Sequence, residues 1–277
     1  MPELPEVEHA RRQLSRHWEG RRVRELQLTE PTTVRSALST SPRHAWDGAQ
    51  AWAGQWSGQC VGPVLRRGKR LGWSVGRLNV LCHLGMTGRW IRRDLQAVPH
   101  GRLRVSFDDG QIWWFEDQRR FGAVCPTERS LEDALGQGMG PEPWPDPLTG
   151  LQLQSRLAGR GSIKTQLMDQ SRLAGVGNIQ ATEALWKAGV HPLIGGNKLN
   201  EQDFSRIAAA LVWTLSRTLR EAGADEMVYV SQDPSSNPFR VYGRVGQPCD
   251  ACNEPIQAIR IAGRISPFCP TCQTSAG

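Results

Sequence analysis

The sequence contains no run of about 18 apolar residues, the length that a helix needs to cross a membrane. Its first eight residues include three glutamates and two prolines, a composition that secretory signal peptides do not have. Internal repeats are absent as well. These absences predict a cytoplasmic protein without a membrane span and exclude a repeat array.

Lysine is scarce. Of 34 Lys and Arg residues in the 277-residue chain only four are lysines, namely Lys69, Lys164, Lys187 and Lys198. The formal net charge is +7, and a guanidinium can bind phosphate through two hydrogen bonds, so the arginine excess favours a nucleic-acid partner. A GC-rich genome that encodes Arg in place of Lys would give the same composition.

The hydrophobic pattern changes along the chain. Apolar residues at helical spacing predict a helix over 2–19 that begins at Pro2 and stops at Gly20. From about 21 to 125, short β-type runs separated by turn residues predict an antiparallel sandwich or barrel. Alternating prolines in 136–150 predict a domain boundary.

Helical periodicity follows the boundary. In "DFSRIAAALVWTLSRTL" the apolar residues recur at steps of three and four, which places them on one helix face. They are Phe204, Ile207, Leu211, Leu215 and Leu219. The helical pattern stops near Gly223, before a polar loop and a small cysteine module.

Four of the seven cysteines form two C-x2-C pairs with 16 residues between them. The pairs are Cys249 with Cys252, and Cys269 with Cys272. Two tight turns that each supply two thiolates form the tetrahedral site typical of structural zinc. Iron in a rubredoxin-like site or two disulfides would use the same spacing, although a reducing compartment disfavours disulfides. A hairpin between the pairs would hold an arginine rigidly for phosphate binding.

Eight motifs occur in one order along the chain. They are "PELPEVE" at 2–8, "RRGKRL" at 66–71, "HLGMTG" at 83–88, "DQRRFG" at 117–122, "IKTQLMD" at 163–169, "GVGN" at 175–178, "VYGR" at 241–244 and the paired C-x2-C. Together they resemble the bacterial formamidopyrimidine-DNA glycosylases of the Fpg/Nei superfamily, over the whole chain.

The resemblance implies an α+β multidomain fold. We expect an N-terminal helix and antiparallel β-sandwich, a helix-two-turn-helix domain and a C-terminal zinc finger with one structural Zn²⁺. The expected segments are the catalytic domain at 2–135, a linker at 136–150, the helical domain at 151–223, a lesion-covering loop region at 224–240 and the finger at 241–275.

The resemblance also implies a catalytic role for Pro2, which from the residues alone is a helix-starting proline. Once Met1 is removed, a secondary amine at Pro2 can attack the sugar and form an iminium, an electron sink that makes elimination of the 3′ phosphate feasible. Glu3 matches the family's general acid. Glu6 is expected to position groups near them.

Further family positions are polar. Lys69 matches the lysine that contacts the lesion phosphate and donates a proton in β-elimination, although "RRGKR" alone is a solvated strand end. Arg264 matches the zinc-finger arginine assigned to δ-elimination. Lys164 is expected to bind phosphate, Asn178 matches the asparagine that holds the lesion phosphate, and Arg160 matches a DNA-contacting position. Without the resemblance, "GVGN" is an ordinary turn before a helix, where backbone amides can approach an anion.

Extrusion of a damaged base leaves a gap in the duplex. Met86, Arg119 and Phe121 match the family's intercalating residues, a composition found in wedges that kink DNA. Arg119 would hydrogen-bond the base left without a partner, and His100 matches a DNA-contact position. Without the resemblance these residues are a buried methionine, a surface arginine and a core phenylalanine.

Two departures from the family pattern concern the substrate. Gln118 replaces a common proline beside Arg119, and 223–239 lacks the glycine-rich pattern of a loop that covers oxidised purines. The resemblance implies a monomeric glycosylase and AP lyase for oxidised purines in damaged double-stranded DNA, associated with the nucleoid when bound. The alternatives are an endonuclease VIII-like enzyme for oxidised pyrimidines and a non-catalytic binder of damaged DNA.

Overall fold

The computed structural model describes residues 2–38, 46–94, 96–221 and 237–274. Within these ranges the chain forms two compact units. The N-terminal unit comprises Met1–Pro2 and Glu6–Gln137, and the C-terminal unit comprises Glu3–Pro5 and Gly138–Gly277. Most of the expected lesion-covering region at 224–240 lies outside the described residues.

Strands dominate the N-terminal unit. Its helices are α1 (Leu4–Trp18, whose first two residues belong to the C-terminal unit), α2 (Ala49–Gly54) and α3 (Leu131–Gly136). Its strands are β1 (Val23–Leu28), β2 (Leu65–Arg67), β3 (Arg70–Val75), β4 (Leu78–His83), β5 (Arg89–Arg92), β6 (Gly101–Phe107), β7 (Ile112–Glu116) and β8 (Ala123–Thr127).

The strands form two four-stranded antiparallel sheets, with orders β1-β6-β7-β5 and β2-β3-β4-β8. Side chains from both sheets and from α1 enter one core, in which Trp18, Trp73 and Trp113 are buried. Aromatic rings there meet edge to face, as between Trp18 and Trp73 at 5.6 Å between centroids. The predicted antiparallel sandwich is confirmed.

The first helix starts later than its sequence pattern predicts. It begins at Leu4, so Pro2 and Glu3 stay outside it. The Leu4 N–H donates a hydrogen bond of 3.0 Å to the Gly175 carbonyl. This bond joins the first residue of the helix to a loop that is distant in sequence. Gly20 has φ of +76°, and this left-handed conformation follows the helix end as predicted.

Helices dominate the C-terminal unit. They are α4 (Gly150–Leu157), α5 (Ile163–Leu167), α6 (Asn178–Ala188) and α7 (Glu201–Glu221). The predicted apolar face of α7 is correct for Phe204, Ile207, Leu211 and Leu215, which are buried. Leu219, near the end of the helix, is partly exposed. Across the described residues, no helix is both long and apolar enough to span a bilayer.

A hairpin lies between the two cysteine pairs, as the spacing allowed. It consists of β9 (Gln257–Ile261) and β10 (Arg264–Phe268). Its two turn residues, Ala262 and Gly263, have φ of +46° and +76°. Positive φ at both positions is typical of the tight turns that match strand twist, so Arg264 starts its strand directly after a rigid turn.

Glu8 joins α1 to the sandwich through a buried ion-pair cluster. It accepts hydrogen bonds from Arg11 and Arg12 at 2.9 Å and from Arg66 at 3.0 Å. Burial alone would raise the pKa of Glu8, but the hydrogen bonds from the three arginines outweigh it and lower the pKa to about 2. The carboxylate is therefore more stable in the folded protein than in the unfolded chain.

This cluster predicts acid sensitivity. Because the folded pKa lies below the ordinary 4.5, the stabilisation is present above pH 4.5 and is lost as pH falls towards 2. Because the Arg11 and Arg12 side chains are 30 % and 52 % exposed, solvent screens part of this interaction, and the shift contributes about 1–2 kcal/mol to stability. We expect Glu8→Gln to lower the free energy of unfolding at pH 7 by about that amount and to flatten its decline below pH 4.5, measured by urea unfolding. The exposed Glu128→Gln should leave both unchanged, and a Glu8→Gln curve that matches wild type would refute the argument.

Candidate active site and nucleic-acid interface

The Glu3 carboxylate lies at the N-terminus of α6. It accepts backbone hydrogen bonds from Gly177 at 3.0 Å, Ile179 at 2.8 Å and Gln180 at 3.1 Å. The first amides of a helix have no partner within the helix and carry a partial positive charge. Glu3 supplies that partner from 174 residues away, which fixes the residue directly after Pro2.

The two glycines of "GVGN" give the N-terminal segment room to approach. A Cβ on Gly175, which has φ of +92°, would lie 2.6 Å from the Leu4 side chain. A Cβ on Gly177 would lie 2.3 Å from Cδ of Glu3. The turn does present amides to an anion, and in the folded chain that anion is the Glu3 carboxylate.

Gly177→Ala should displace Glu3. Because the added methyl overlaps the carboxyl group, we expect the midpoint of thermal unfolding to fall, with a cost of about 1–3 kcal/mol, and the rate of base excision to fall at least about tenfold. Gly136→Ala is the matched control, since a Cβ there has no neighbour within 4 Å. Equal excision rates for the two variants would show that the position of Glu3 is unimportant.

Lys164 is a buried lysine close to this carboxylate. Its Nζ lies 2.6 Å from Oγ of Ser266, to which it donates a hydrogen bond. Burial lowers the pKa of Lys164 to about 8; the Glu3 carboxylate opposes the shift and the Arg264 guanidinium adds to it. Near neutral pH the ammonium therefore releases its proton more readily than an ordinary lysine does.

Asn178 and Arg264 belong to the same cluster. Asn178 is the first residue of α6, and its Nδ2 lies 3.4 Å from the Ile265 carbonyl, next to Arg264. Its Oδ1 is buried without a hydrogen-bond partner. Arg264 is exposed and, with Lys164, lines a pocket of about 400 Å³. Two cations beside a side-chain amide can hold an anion such as phosphate.

The structure thus brings together Glu3, Lys164, Asn178 and Arg264 in the C-terminal unit. Arg160 lies in the same unit on an exposed loop before α5. The Gln166 side chain holds that loop in place, because its Nε2 donates hydrogen bonds to the carbonyls of Gly159 at 3.0 Å and Gly161 at 2.7 Å.

The other predicted catalytic residues belong to the N-terminal unit. Pro2 is buried two residues before the start of α1, and Glu6 is buried in the first turn of that helix. Lys69 is partly exposed in the two-residue turn between β2 and β3, where the preceding Gly68 has φ of +56°. The backbone of that turn fixes the base of the Lys69 side chain.

Two loops carry the predicted wedge residues. In the Met86 loop (84–88), Met86 is 37 % exposed. The Arg119 loop (117–122) exposes Arg119, whose Cζ lies 5.0 Å from the ring centroid of Phe121. His100 is exposed, with φ of +58°. Met86 is therefore on the surface, where the resemblance requires it, and not in the core.

Four sulfur atoms form the predicted metal site. The thiols of Cys249, Cys252, Cys269 and Cys272 lie within 4.8 Å of one another. The Trp186 indole N–H and the Cys272 backbone N–H donate to the sulfurs of Cys249 and Cys269, each at 3.4 Å. Such donors stabilise thiolates, so the residues fit one tetrahedral metal ion.

Several supporting residues were missed by the sequence argument. Ser266 and Gln166 fix Lys164 and the Arg160 loop, and Asp117 is a buried carboxylate within the Arg119 loop. Gln166 and Asp117 lie inside the quoted motifs, and a polar residue inside a motif was the available signal. Ser266 had no signal in sequence.

Comparison with known proteins gives consistent results. Residues 1–124 match the family model described as the formamidopyrimidine-DNA glycosylase N-terminal domain, and residues 139–228 match the formamidopyrimidine-DNA glycosylase H2TH domain. The formamidopyrimidine-DNA glycosylase of Stenotrophomonas maltophilia (strain R551-3) is 36% identical over 280 residues, covering 99% of this chain and 100% of the relative.

Solved structures agree with this match. The Lactococcus lactis formamidopyrimidine-DNA glycosylase, non-covalently bound to DNA with an AP site, superposes with a TM-score of 0.84 at 29% identity. A complex of the wild-type Lactococcus lactis protein with DNA containing an oxidised pyrimidine gives a TM-score of 0.85 at 29% identity. Each comparison covers 99% of this chain and 100% of the other.

Proposed function

The chain belongs to the formamidopyrimidine-DNA glycosylase family, and on that basis we propose that it is a bifunctional DNA glycosylase and AP lyase of base-excision repair. Its substrates are oxidised purines in double-stranded DNA, such as 8-oxoguanine and formamidopyrimidines. The observation that carries the proposal is the cluster of Glu3, Lys164, Asn178 and Arg264 at the α6 N-terminus, with Glu3 bonded directly to Pro2 in sequence.

The reaction begins at Pro2. After removal of Met1, the Pro2 nitrogen attacks C1′ of the flipped nucleotide, and the bond from C1′ to the base breaks. The Pro2 N–H proton passes to the Glu3 carboxylate, which delivers it to the ring oxygen as the C1′–O4′ bond opens. This leaves an iminium between Pro2 and C1′, and the departing base takes a proton from water. The helix N-terminus holds the Glu3 carboxyl in position for this transfer.

Strand cleavage follows from the iminium. Its positive charge acidifies the C2′ proton, and loss of that proton expels the 3′ phosphate with cleavage of the C3′–O3′ bond. A second elimination removes the C4′ proton and breaks the C5′–O5′ bond, which expels the 5′ phosphate. Water then hydrolyses the iminium and releases Pro2. The phosphates are held by Lys69, Asn178 and Arg264. Lys69 also donates a proton in the first elimination, and Arg264 acts in the second. Lys164, with its pKa of about 8, binds phosphate beside them.

The remaining residues prepare the DNA. Met86, Arg119 and Phe121 fill the gap left by the extruded base, and Arg119 hydrogen-bonds the opposite base. Arg160 and His100 contact the backbone. One Zn²⁺ on the four cysteines would fix the β9–β10 hairpin that carries Arg264. The enzyme acts as a monomer on damaged duplex DNA.

A second candidate substrate class has a specific observation in its favour. A relative with this fold binds DNA that contains an oxidised pyrimidine. The same lyase chemistry at Pro2 serves either lesion, because the attack occurs at the sugar. The two candidates therefore differ in base recognition and share their mechanism.

A lesion panel tests the proposal. Duplexes with 8-oxoguanine, a formamidopyrimidine or an oxidised pyrimidine, each opposite all four bases, are incubated with protein whose N-terminus is confirmed as Pro2. We expect the fastest excision from the oxidised purines and product ends that carry phosphate on both sides of the gap. Faster excision of oxidised pyrimidines would assign the second class. Tight lesion binding without cleavage would make the protein a non-catalytic binder.

A further inference from the structure

Asp117 is a buried carboxylate at the base of the Arg119 loop, with no exposed surface. Its Oδ1 accepts hydrogen bonds from the Thr87 hydroxyl and, at 3.2 Å, from the Arg119 N–H. Its Oδ2 accepts one from the Gly122 N–H at 2.6 Å. Burial of a carboxylate is costly unless donors satisfy it, so these donors are held in fixed positions.

Thr87 connects this carboxylate to the other loop. It belongs to the Met86 loop, and its hydroxyl donates to Asp117 while accepting from the Arg119 N–H at 3.1 Å. The loops also touch through their backbones. A Cβ on Gly85 would lie 2.4 Å from the Gly122 nitrogen and 2.5 Å from the Phe121 carbonyl carbon.

Other contacts orient the Arg119 loop from behind. The Asp117 carbonyl accepts from Arg102 Nε at 2.9 Å. The Arg120 carbonyl accepts from the buried Arg35 at 2.9 Å, and the Arg120 side chain pairs with Glu30 at 3.0 Å. Arg120 is thus held by a backbone hydrogen bond and an ion pair, whereas the adjacent Arg119 is exposed and projects outwards.

We propose that Asp117 and Thr87 form a brace that locks the two wedge loops into one rigid unit and so determines how selectively Arg119 reads the base opposite the lesion. This inference rests on the proposed function, because it concerns wedge insertion during base excision. Asp117 and Thr87 are positioning residues, since neither side chain needs to touch DNA for the brace to act.

The brace has a physical purpose in this chain. Met86 and the Arg119–Phe121 pair enter one gap from two separate loops, so any shift between the loops misplaces one of them. Preorganisation of both loops removes an ordering cost at binding. Family members commonly have proline at position 118, and the proline ring fixes φ there. Gln118 has no such ring, so in this chain the hydrogen bonds to Asp117 restrain the loop instead.

Thr87→Val tests the brace, because valine keeps the shape of threonine and removes the hydroxyl. Thr87→Ser is the matched control that keeps it. Excision of 8-oxoguanine is measured opposite each of the four bases, and the spread is the ratio of the fastest to the slowest rate. We expect Thr87→Val to reduce the spread at least about tenfold, because the hydroxyl makes two hydrogen bonds and the loss of one alone is worth about that factor. Thr87→Ser should retain the spread. In the Thr87→Val background, Gln118→Pro should restore part of the spread.

A second measurement needs no chemistry. Binding to a duplex with a tetrahydrofuran abasic analogue opposite 2-aminopurine reports unstacking as a rise in fluorescence. We expect the rise to be slowed at least about tenfold in Thr87→Val, which loses both hydrogen bonds of the hydroxyl, and to be unchanged in Thr87→Ser. Circular dichroism checks that each variant is folded.

The outcomes separate the two hypotheses. A folded Thr87→Val protein with wild-type spread and fluorescence kinetics overturns the brace, and so does a Thr87→Ser protein that behaves like Thr87→Val. A wild-type protein that unstacks the probe base but excises no lesion overturns the proposed function, while the fluorescence kinetics of the variants still decide the brace. Absence of any binding by wild type overturns both.

Discussion

Replacement of Pro2 by Gly is expected to lower the rate of base excision and strand cleavage by at least about a hundredfold, within the range that positioned catalytic groups contribute. Proline supplies a secondary amine, so its adduct with C1′ is a cationic iminium from the outset. Glycine supplies a primary amine, whose imine must first be protonated to serve as an electron sink. Glycine also adds backbone freedom immediately before Glu3.

An N-terminal extension gives a stricter version of this test. A tag left upstream of Pro2 turns the nitrogen into an amide, which has no available lone pair for attack. We expect excision and lyase activity to be undetectable, whereas a C-terminal tag leaves both intact. Binding to an abasic analogue should survive, because the phosphate-binding residues are unchanged. Wild-type rates in the Pro2→Gly protein or in the N-terminally tagged protein, measured by single-turnover gel assay, would exclude Pro2 as nucleophile.

Loss of the metal ion is expected to have the second large effect. Structural zinc sites of this kind contribute about 10–16 kcal/mol of binding free energy, which is also folding free energy. The hairpin offers little to replace it, since the core around Cys249 and Cys269 contains only Val241 and Ile256 as further buried residues among those described. Without metal, Arg264 loses its fixed position.

Cys269→Ser tests this directly. We expect metal content to fall from one zinc ion per chain to a small fraction and the affinity for abasic duplex to fall at least about a hundredfold, through loss of the ordered finger. Cys60→Ser is the control, because Cys60 is an exposed thiol outside the cluster. Elemental analysis and fluorescence anisotropy give the two quantities. Iron in place of zinc would show that the proposed identity of the metal is wrong. Full affinity for abasic duplex without any metal would contradict the role of the finger.

Much of the fold follows from local patterns. The α7 face obeys helical spacing from Phe204 to Leu215, and the cysteine spacing predicts a four-sulfur cluster that the structure shows. Longer β-type runs such as 102–107 and 111–117 correspond to β6 and β7. These features depend on neighbours in sequence, which a single chain displays.

The long-range contacts could not be predicted in this way. Glu3 reaches α6 across 174 residues, and Arg66 reaches Glu8 across 58. Helix periodicity assigns Pro2 to the helix because it carries no information about the hydrogen bond from the Leu4 N–H to the distant Gly175 carbonyl. Asp117 and Thr87 are polar residues in turn-like segments, and only the pairing of two distant loops shows their burial and shared hydrogen bonds.

The central claim is that the Pro2 nitrogen forms the covalent bond to DNA. The most direct test treats the Met1-processed protein with an abasic duplex and borohydride, digests the product, and maps the modified peptide by mass spectrometry. We predict a reduced adduct on the nitrogen of Pro2 in the N-terminal peptide. An adduct on Lys69 or Lys164, or none from protein that binds the duplex, would contradict the claim.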